Sequence, residues 1–386
     1  MLQANKKNCE DCLPYEPTHL QNWLSDIVEL ILTPIFRKFI SSKILSHGEK
    51  IIDNLLLAIN FFSLDKYFRL SEINHIAAIF IAAGKNKGIE FQVFQNALGY
   101  SDYFRMKVGN RYFDFEKLPR AEHTVKNKLA SQVDDKWVVK RKLAKAGLPI
   151  VEGKVFWWFQ KGRALSWARS FGFPLILKPR RGSLSQHIYF NLQNETELEE
   201  AIKKVNRYSP VFLLERFLPN LNLFRITVVD GERIFAVKRL PPKITGDGKS
   251  KVSELMAKIN FPDDNVNRIF LREQGFGVDS ILKANETVYL HNKIVLSLGA
   301  EIEDATAEIH LDNLAMFKKI VEIFGNRLIG IDFLSETLKK SWRDQRCAVI
   351  ELNSLPNIRM HDFKEDGETK NKVAEALVDL VFKYYR

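Results

Sequence analysis

Hydrophobic positions recur along this chain with two different periods. Between residues 20 and 40, Leu24, Ile27, Val28, Leu30, Ile31, Ile35, Phe36 and Ile40 follow the three- and four-residue spacing of a helix face, interrupted by Pro34. Arg37, Lys38 and Lys43 flank that face. The pattern predicts a helix packed on the body of the protein, with a membrane surface or a partner helix as the alternative.

From about residue 73 the pattern changes to a helix over 73–83, a strand over 88–94 and a turn at Leu98-Gly99-Tyr100, followed by a polar linker over 118–132. Asp134 is the predicted cap of a helix over 135–146, which stops at Gly147-Leu148-Pro149. Short apolar runs then predict strands over 154–159, 174–179 and 211–215, with helices over 165–171 and 195–205 between them. Strands over 224–229 and 233–239 are expected to pair across Asp230-Gly231, a strong hairpin signal. The last third predicts a helix over 311–324, strands over 328–333 and 348–352 joined by a polar connection, and a helix over 371–384.

At 386 residues, with 46% hydrophobic and 27% charged positions, the chain has room for two or three globular units with sizeable cores, which sets disorder and fibrous classes aside. The 28 Phe read as core packing. A balance of 58 Lys+Arg against 47 Asp+Glu gives +11, but the cations are scattered. No basic stripe interleaved with aromatics, zinc-finger spacing or RNP-like strand appears, so nucleotide phosphates explain the local clusters better than nucleic acid does.

Cys9, Cys12 and Cys347 cannot make a disulfide framework and no signal peptide opens the chain, so a reducing cytoplasm is expected. Cys9-x-x-Cys12 with His19 falls short of four zinc ligands. The longest apolar stretches, 55–62 and 76–83, are far shorter than the roughly 20 residues of a membrane span.

Two strand ends carry the first chemistry. Gly330-Ile331-Asp332 closes one and Glu351-Leu352-Asn353 closes the next; antiparallel neighbours would bring both carboxylates to one place on the sheet. Two hard anions beside an amide oxygen suit Mg²⁺, which prefers oxygen ligands and shares its shell with substrate phosphates. Cations come from elsewhere: Lys136 at a helix start, and Lys178 ending a buried strand before Arg180, Arg181, Gly182, Ser183 and Ser185. A lysine at a strand end could simply reach solvent, but a donor-rich loop after it points to phosphate binding.

These segments, in order, resemble the ATP-grasp ligases, and among them the ATP-grasp half of the cyanophycin synthetases, with the D-alanine–D-alanine ligases more distant. The resemblance runs from about 76 to 365. Gly88-Ile89 through Leu98-Gly99-Tyr100 is similar to the pre-grasp segment, Asp135-Lys136 to the first ATP lysine, and Lys178-Pro179 to the second. Glu215, Arg216, Phe217 and Leu218 resemble the hinge whose backbone reads adenine, and Asn222 stands where a ribose-binding acid is expected. Phe224-Arg225, Lys238-Arg239, Gly246–Ser250, Gln274-Gly275, Val278–Ser280 and Glu308–His310 follow in register. Asp332, Glu351 and Asn353 fall on the family's magnesium ligands, with Arg359-Met360-His361 just beyond.

The resemblance implies an α+β fold, with a pre-grasp α/β unit over 66–125 and an ATP-grasp unit over 126–386 with lobes 126–215 and 216–386; the helical extension over 1–65 is expected from its periodicity alone. It implies ATP and two Mg²⁺ as cofactors, and amide formation through an acyl phosphate. Arg225 and Arg239 would steady the phosphoryl oxygens and the oxyanion. Arg359, His361 and Ser297 would touch a small carboxylate or amine substrate, an amino acid or a peptide, in a chain free to form a homo-oligomer.

Four departures qualify that. The loop after Lys178 keeps one glycine where relatives have several, and Asn222 replaces an acid. The acceptor-side segment reads Val295-Leu296-Ser297-Leu298-Gly299-Ala300, and His291 stands where an Arg is usual. No muramyl-ligase-like half is expected, so polymer synthesis by this chain alone is not. The alternatives to a ligase are an ATP-binding module without ligase chemistry, regulatory or partner-dependent, and a phosphotransferase.

Overall fold

The computed structural model describes residues 19–28, 30, 63–97, 99–182, 186–263, 265–291, 299–365 and 368–386. Its fold is α+β, built on antiparallel sheets. Helix α1, His19–Ile27, covers the start of the predicted N-terminal helix; Pro34 and the rest of that predicted face, like Cys9 and Cys12, lie outside the described residues. Its expected apolar face is split: Ile27 and Leu30 are half-buried, and Trp23 packs on Trp158 with ring centres 5.5 Å apart. Leu20, Leu24 and Val28 are exposed, whereas Asp26 is buried.

The first sheet contains β1 (Ser63–Asp65), β2 (Glu90–Asn96), β3 (Gly99–Val108) and β4 (Arg111–Glu116), in that order, with helix α2 (His75–Lys85) packed on it. Only β2 is anticipated by the pattern. Gly99 and Tyr100, expected in a turn, already pair with Asn96 and Gln95. The alternation of a half-buried strand is nonetheless present: Phe104, Met106 and Val108 of β3 are buried, and between them Arg105 and Lys107 lie outward, where Arg105 pairs with Asp114 of β4.

Helix α3, Lys136–Lys145, is capped by Asp135, whose carboxylate accepts from the Trp137 and Val138 amides at 3.0 Å. Asp134, the expected cap, instead accepts from the Ser354 amide at 2.8 Å. A second sheet follows in the order β5 (Gly153–Trp157), β8 (Val211–Arg216), β6 (Leu175–Pro179), β7 (Tyr189–Leu192). Helices α4 (Lys161–Phe171) and α5 (Glu195–Val205) bury Leu165, Leu198 and Ile202 against Leu175, Phe212 and Leu214 of that sheet.

The third sheet is centred on β9 (Asn222–Val229), which pairs with β10 (Arg233–Leu240) through the expected hairpin. Asp230 at φ 55° and Gly231 at φ 72° both adopt the left-handed conformation that such a tight reversal needs. A small unit branches from β10: hairpin β11 (Lys243–Thr245) and β12 (Thr287–Tyr289) with helices α6 (Val252–Lys258) and α7 (Asn265–Glu273), around Leu255, Leu271 and Leu282. The chain returns as β13 (Glu301–Asp304), then helix α8 (Leu311–Phe324), β14 (Leu328–Ser335), β15 (Cys347–Asn353) and helix α9 (Lys372–Tyr384). The five strands lie in the order β13-β10-β9-β14-β15.

Period-two alternation divides this sheet. Phe224, Ile226, Val228, Ile329, Ile331 and Phe333 face α8, where they meet Phe317, Ile320 and Phe324. Alternate positions, Arg225, Thr227, Arg239 and Asp332, are buried too, although polar. A polar row under cover needs partners, and this one marks the site.

Helix α3 brackets two sheets. Its one buried face carries Val139 and Leu143, in the core of the five-stranded sheet, together with Lys140, which reaches Glu215 of β8, and Lys136, which reaches the Gly182 carbonyl beyond β6 and Glu351 of β15. Lys140 donates to the Val151 carbonyl and lies 3.0 Å from Glu215 Oε1; Lys178 lies 2.8 Å from Glu215 Oε2. All three side chains are buried.

Burial pushes the Glu215 carboxyl up, but Lys178 and then Lys140 outweigh it and hold the group below its ordinary value. Burial pulls Lys140 down. Replacing Glu215 by Gln would leave two buried ammonium groups facing each other. Glu215→Gln is expected to lose about 3–5 kcal/mol of stability, read as a lower urea midpoint at pH 7. Because the folded-state carboxyl is lowered, its contribution is complete above the unfolded value of about 4.3 and fades as pH falls through the lower folded value, so the gap closes only in acid. Equal midpoints at pH 7 would contradict this account of the trio.

Candidate active site

Strand register sets the geometry. Asp332 on β14 stands directly opposite Arg225 on β9 and Glu351 on β15, and Gly330, one pleat away, stands opposite Thr227 and Asn353. Direct partners share a face, so Arg225, Asp332, Glu351 and Asn353 all project to one side. Asp332 Oδ1 is 2.6 Å from Arg225 Nε, and its Oδ2 accepts from Arg225 Nη2 at 3.2 Å and lies 3.8 Å from Arg239 Nη1. Burial pulls the Arg239 guanidinium below its usual value, against the pull of Asp332 and Glu351 and with the push of Arg225.

Gly330 is required by this packing. A Cβ there would stand 2.7 Å from Arg225 Nη1 and 2.9 Å from Pro356 Cβ, so only glycine leaves the guanidinium its place.

Lys136 joins the two halves of the site: its Nζ donates to the Gly182 carbonyl at 2.7 Å and lies 3.7 Å from Glu351 Oε1. Arg180 is held by Asp135, with Nε at 3.0 Å from Oδ1 and Nη2 at 2.8 Å from Oδ2, and Arg181 Nη2 lies 3.8 Å from the same carboxylate. One side chain thus caps α3 and positions the loop that follows Lys178.

At the end of β8 the expected hinge residues are placed by backbone pairing on both edges. Arg216 N donates to the Glu152 carbonyl and Phe217 N to the Pro174 carbonyl, each at 3.0 Å. The Arg216 side chain turns away, over the Phe171 ring and onto the Phe171 carbonyl at 3.2 Å. Phe217 and Leu218 are half-buried, and Glu215, the first of this group, faces inward to Lys140 and Lys178. Asn222 donates to the Glu336 carbonyl at 2.7 Å.

Of the residues expected to touch substrate, His361 is buried with Nε2 2.9 Å from Thr227 Oγ1, on the carboxylate face of the sheet. Arg359 is exposed two residues earlier. Ser183 and Ser297 lie outside the described residues. His291 is buried.

Two groups were not foreseen. Lys140 carries no signal beyond its place four residues after Lys136, and Asp135 reads only as a helix-start residue. Both matter because of partners that are 45 or more positions away in sequence, at Arg180 and Glu215.

The donor set fits a hard divalent cation. Two carboxylates on adjacent strands and a neighbouring amide provide oxygen ligands, and Arg225, Arg239 and Lys136 crowd the same face with positive charge that a polyphosphate would balance. Among the described residues no three His, Cys, Asp or Glu side chains converge, so the set relies on the Asn353 amide and on oxygens brought by a ligand. Cavities of about 320 Å³ beside Lys66, Phe91 and Arg105, and of about 550 Å³ beside Asn127, Asp230 and Arg327, lie away from this constellation.

The His361 imidazole is held down to about 4, by burial first and Arg225 second. Between that value and the ordinary 6.5 the unfolded chain takes up a proton that the folded chain refuses. The stability contribution is therefore whole above 6.5 and is lost as pH falls toward 4. The thermal midpoint is expected to drop between pH 7 and pH 4.5, and His361→Gln to flatten that drop; identical slopes would contradict the assignment.

No protein-family model matches the chain. Among curated proteins it is similar to the cyanophycin synthetase of Geminocystis herdmanii, 31% identical over 265 residues that cover 64% of this chain and 30% of that one. It is also similar to the glutathione biosynthesis bifunctional protein GshAB of Listeria welshimeri, 27% identical over 323 residues, 77% of this chain and 39% of that one. The chain thus spans well under half the length of these relatives. The solved structure of a bifunctional glutathione synthetase from Pasteurella multocida shares its fold, with a TM-score of 0.57 at 20% identity over 81% of this chain and 44% of that one. Two sheets joined by α3, with paired acidic strand ends facing lysines and arginines, and this likeness in sequence and fold place the chain in the ATP-grasp superfamily, related to the cyanophycin synthetases.

Proposed function

We propose that the chain is an ATP- and Mg²⁺-dependent carboxylate–amine ligase that makes an amide through an acyl phosphate, on an amino acid or peptide. One observation carries the reading: Asp332 and Glu351 are direct cross-strand partners on a face where Arg225, Arg239 and Lys136 lie within 4 Å of them. Acids and bases packed this tightly in a buried row cost desolvation energy that a structural role alone does not return.

In this reading the domains divide as 1–65, 66–125 and 126–386, with nucleotide held between lobes 126–215 and 216–386. Adenine lies along the backbone of 215–218 and Asn222 accepts from a ribose hydroxyl. Lys136 and Lys178 bind phosphate oxygens, joined by Ser183 and the loop arginines. Asp332, Glu351 and Asn353 would hold Mg²⁺, which supplies charge neutralisation on the transferring phosphoryl group.

The substrate carboxylate attacks the γ-phosphate in line, forming a bond from carboxylate oxygen to phosphorus as the bond to ADP breaks. The amine then attacks the acyl carbon, and phosphate leaves. Arg225 and Arg239 direct paired donors at the phosphoryl oxygens and at the oxyanion of the tetrahedral intermediate. Arg359, exposed beside the site, His361 and Ser297 are the candidates for substrate contact. His361, held neutral, can accept or donate one hydrogen bond without adding charge.

A second reading, a nucleotide-binding module without ligase chemistry, is favoured by the loop after Lys178, where the carbonyl of Gly182 is tied to Lys136. An assay of ADP formation across a pool of amino acids and dipeptides, with mass spectrometry of products, separates the two. The ligase reading expects turnover to rise with the pool, a new amide in the products, and a loss of about 100-fold or more in Asp332→Asn or Glu351→Gln, where charge on the phosphoryl group is left unbalanced. Undiminished turnover by either variant, or ADP formation indifferent to the pool, would contradict it.

A further inference from the structure

Glu215 is the one carboxylate among the described residues that pairs with Lys140 or Lys178, so this buried trio carries two positive charges against one negative. A surplus charge under cover is unfavourable, and a ligand of opposite sign relieves it. The phosphate site assigned above includes Lys178 but not Lys140.

The two lysines are held differently. Lys140 has two acceptors, the Val151 carbonyl and Glu215 Oε1, the latter 3.0 Å away. Lys178 has Glu215 Oε2 at 2.8 Å and no other side-chain partner among the described residues. An ammonium carries three donors, so Lys178 keeps more of them for a ligand while Lys140 is anchored.

The carboxylate between them has little freedom. Gly153 of β5 and Glu215 of β8 are direct cross-strand partners. A Cβ on Gly153 would stand 2.8 Å from Glu215 Cγ and closer still to the Leu214 carbonyl, so the bare glycine gives Glu215 its place. On the other edge Ile176 stands opposite Glu215, and Lys178, two residues on, projects from the same face of β6. Lys140 reaches that carboxylate from α3.

We propose that Lys140 is a positioning residue for the nucleotide: by holding one oxygen of Glu215 it stops that carboxylate from closing on Lys178 alone, and it leaves the trio one positive charge to meet a phosphate. The inference rests on the ligase reading for what Lys178 binds. Without Lys140, Glu215 and Lys178 form a closed pair of zero net charge, and both carboxylate oxygens compete with the nucleotide for one ammonium. Lys140 itself touches no nucleotide in this scheme; it acts through Glu215.

The test is ATP affinity of the full chain, measured by calorimetry with Mg²⁺ for wild type, Lys140→Met and the double variant Lys140→Met/Glu215→Gln, each first shown to be folded by circular dichroism. Loss of one charge near the phosphates is expected to weaken ATP binding about tenfold in Lys140→Met. In the double variant the competing carboxylate is gone as well and Lys178 again carries the surplus charge, so affinity is expected to return to within about threefold of wild type. A packing role predicts the reverse, because a second change in the buried cluster adds to the damage of the first. Lys140→Gln, which still offers a donor to the Val151 carbonyl, replaces the Met variant if that one does not fold.

If Lys140→Met binds ATP as wild type does, or the double variant binds no better than the single one, the positioning role is overturned and the ligase reading stands. If neither Lys140 variant folds, with or without Glu215→Gln, Lys140 serves the fold and the inference is overturned. If wild type itself fails to bind ATP, the ligase reading falls and the positioning role with it.

Discussion

Everything at the centre of this molecule depends on the register of β9, β14 and β15. Side chains on a strand alternate faces, so a slip of one residue would exchange the row Arg225–Asp332–Glu351 for the apolar row that packs on α8. Core and site fix each other. Phe224, Ile226, Ile331 and Phe333 cannot leave α8 without sending two arginines and two carboxylates into its place. Gly330 tightens the constraint, because the room it leaves is taken by Arg225.

Helix α3 extends that constraint to the second sheet. One face of it holds both Val139 and Leu143, in the five-stranded sheet's core, and two lysines, Lys136 between Gly182 and Glu351 and Lys140 on Glu215 of the other sheet. The two sheets are therefore coupled through charge as well as packing. Asp135 contributes twice, satisfying orphan amides at the helix start and gripping Arg180. Arg180 and Lys178 are consequently pre-placed by buried anions, which would spare an anionic ligand the cost of ordering long flexible side chains.

Much of this was legible in the sequence, and what was not has identifiable causes. The helices at 195–205 and 311–324, the Asp230-Gly231 hairpin and the convergence of Asp332 with Glu351 follow from period, turn chemistry and strand ends. β3 is absent from the expected elements although Phe104, Met106 and Val108 alternate with Arg105 and Lys107, because the Leu98-Gly99-Tyr100 turn signal stands at its start. The small unit around Leu255 and Leu271 is built from two 3-residue strands and helices of 7 and 9 residues, too short to carry a period of their own. Lys140 and Asp135 act through partners distant in sequence, a relation that no local pattern encodes. The burial of Asp26 in α1, with Leu20 and Leu24 left exposed, depends on the distant Ser209 hydroxyl and follows from no local period.

Acyl-phosphate formation is the chemical centre of the account, and positional isotope exchange tests it without knowledge of the amine. ATP carrying ¹⁸O at the β,γ-bridge is incubated with the chain, Mg²⁺ and a pool of carboxylates whose amino groups are blocked. The account predicts that the label moves from the bridge to non-bridging positions of the β-phosphate only when a carboxylate from the pool is present, as reversible phosphoryl transfer frees the ADP end to rotate. Label that stays in the bridge with every carboxylate, while ATP is bound or consumed, would contradict it.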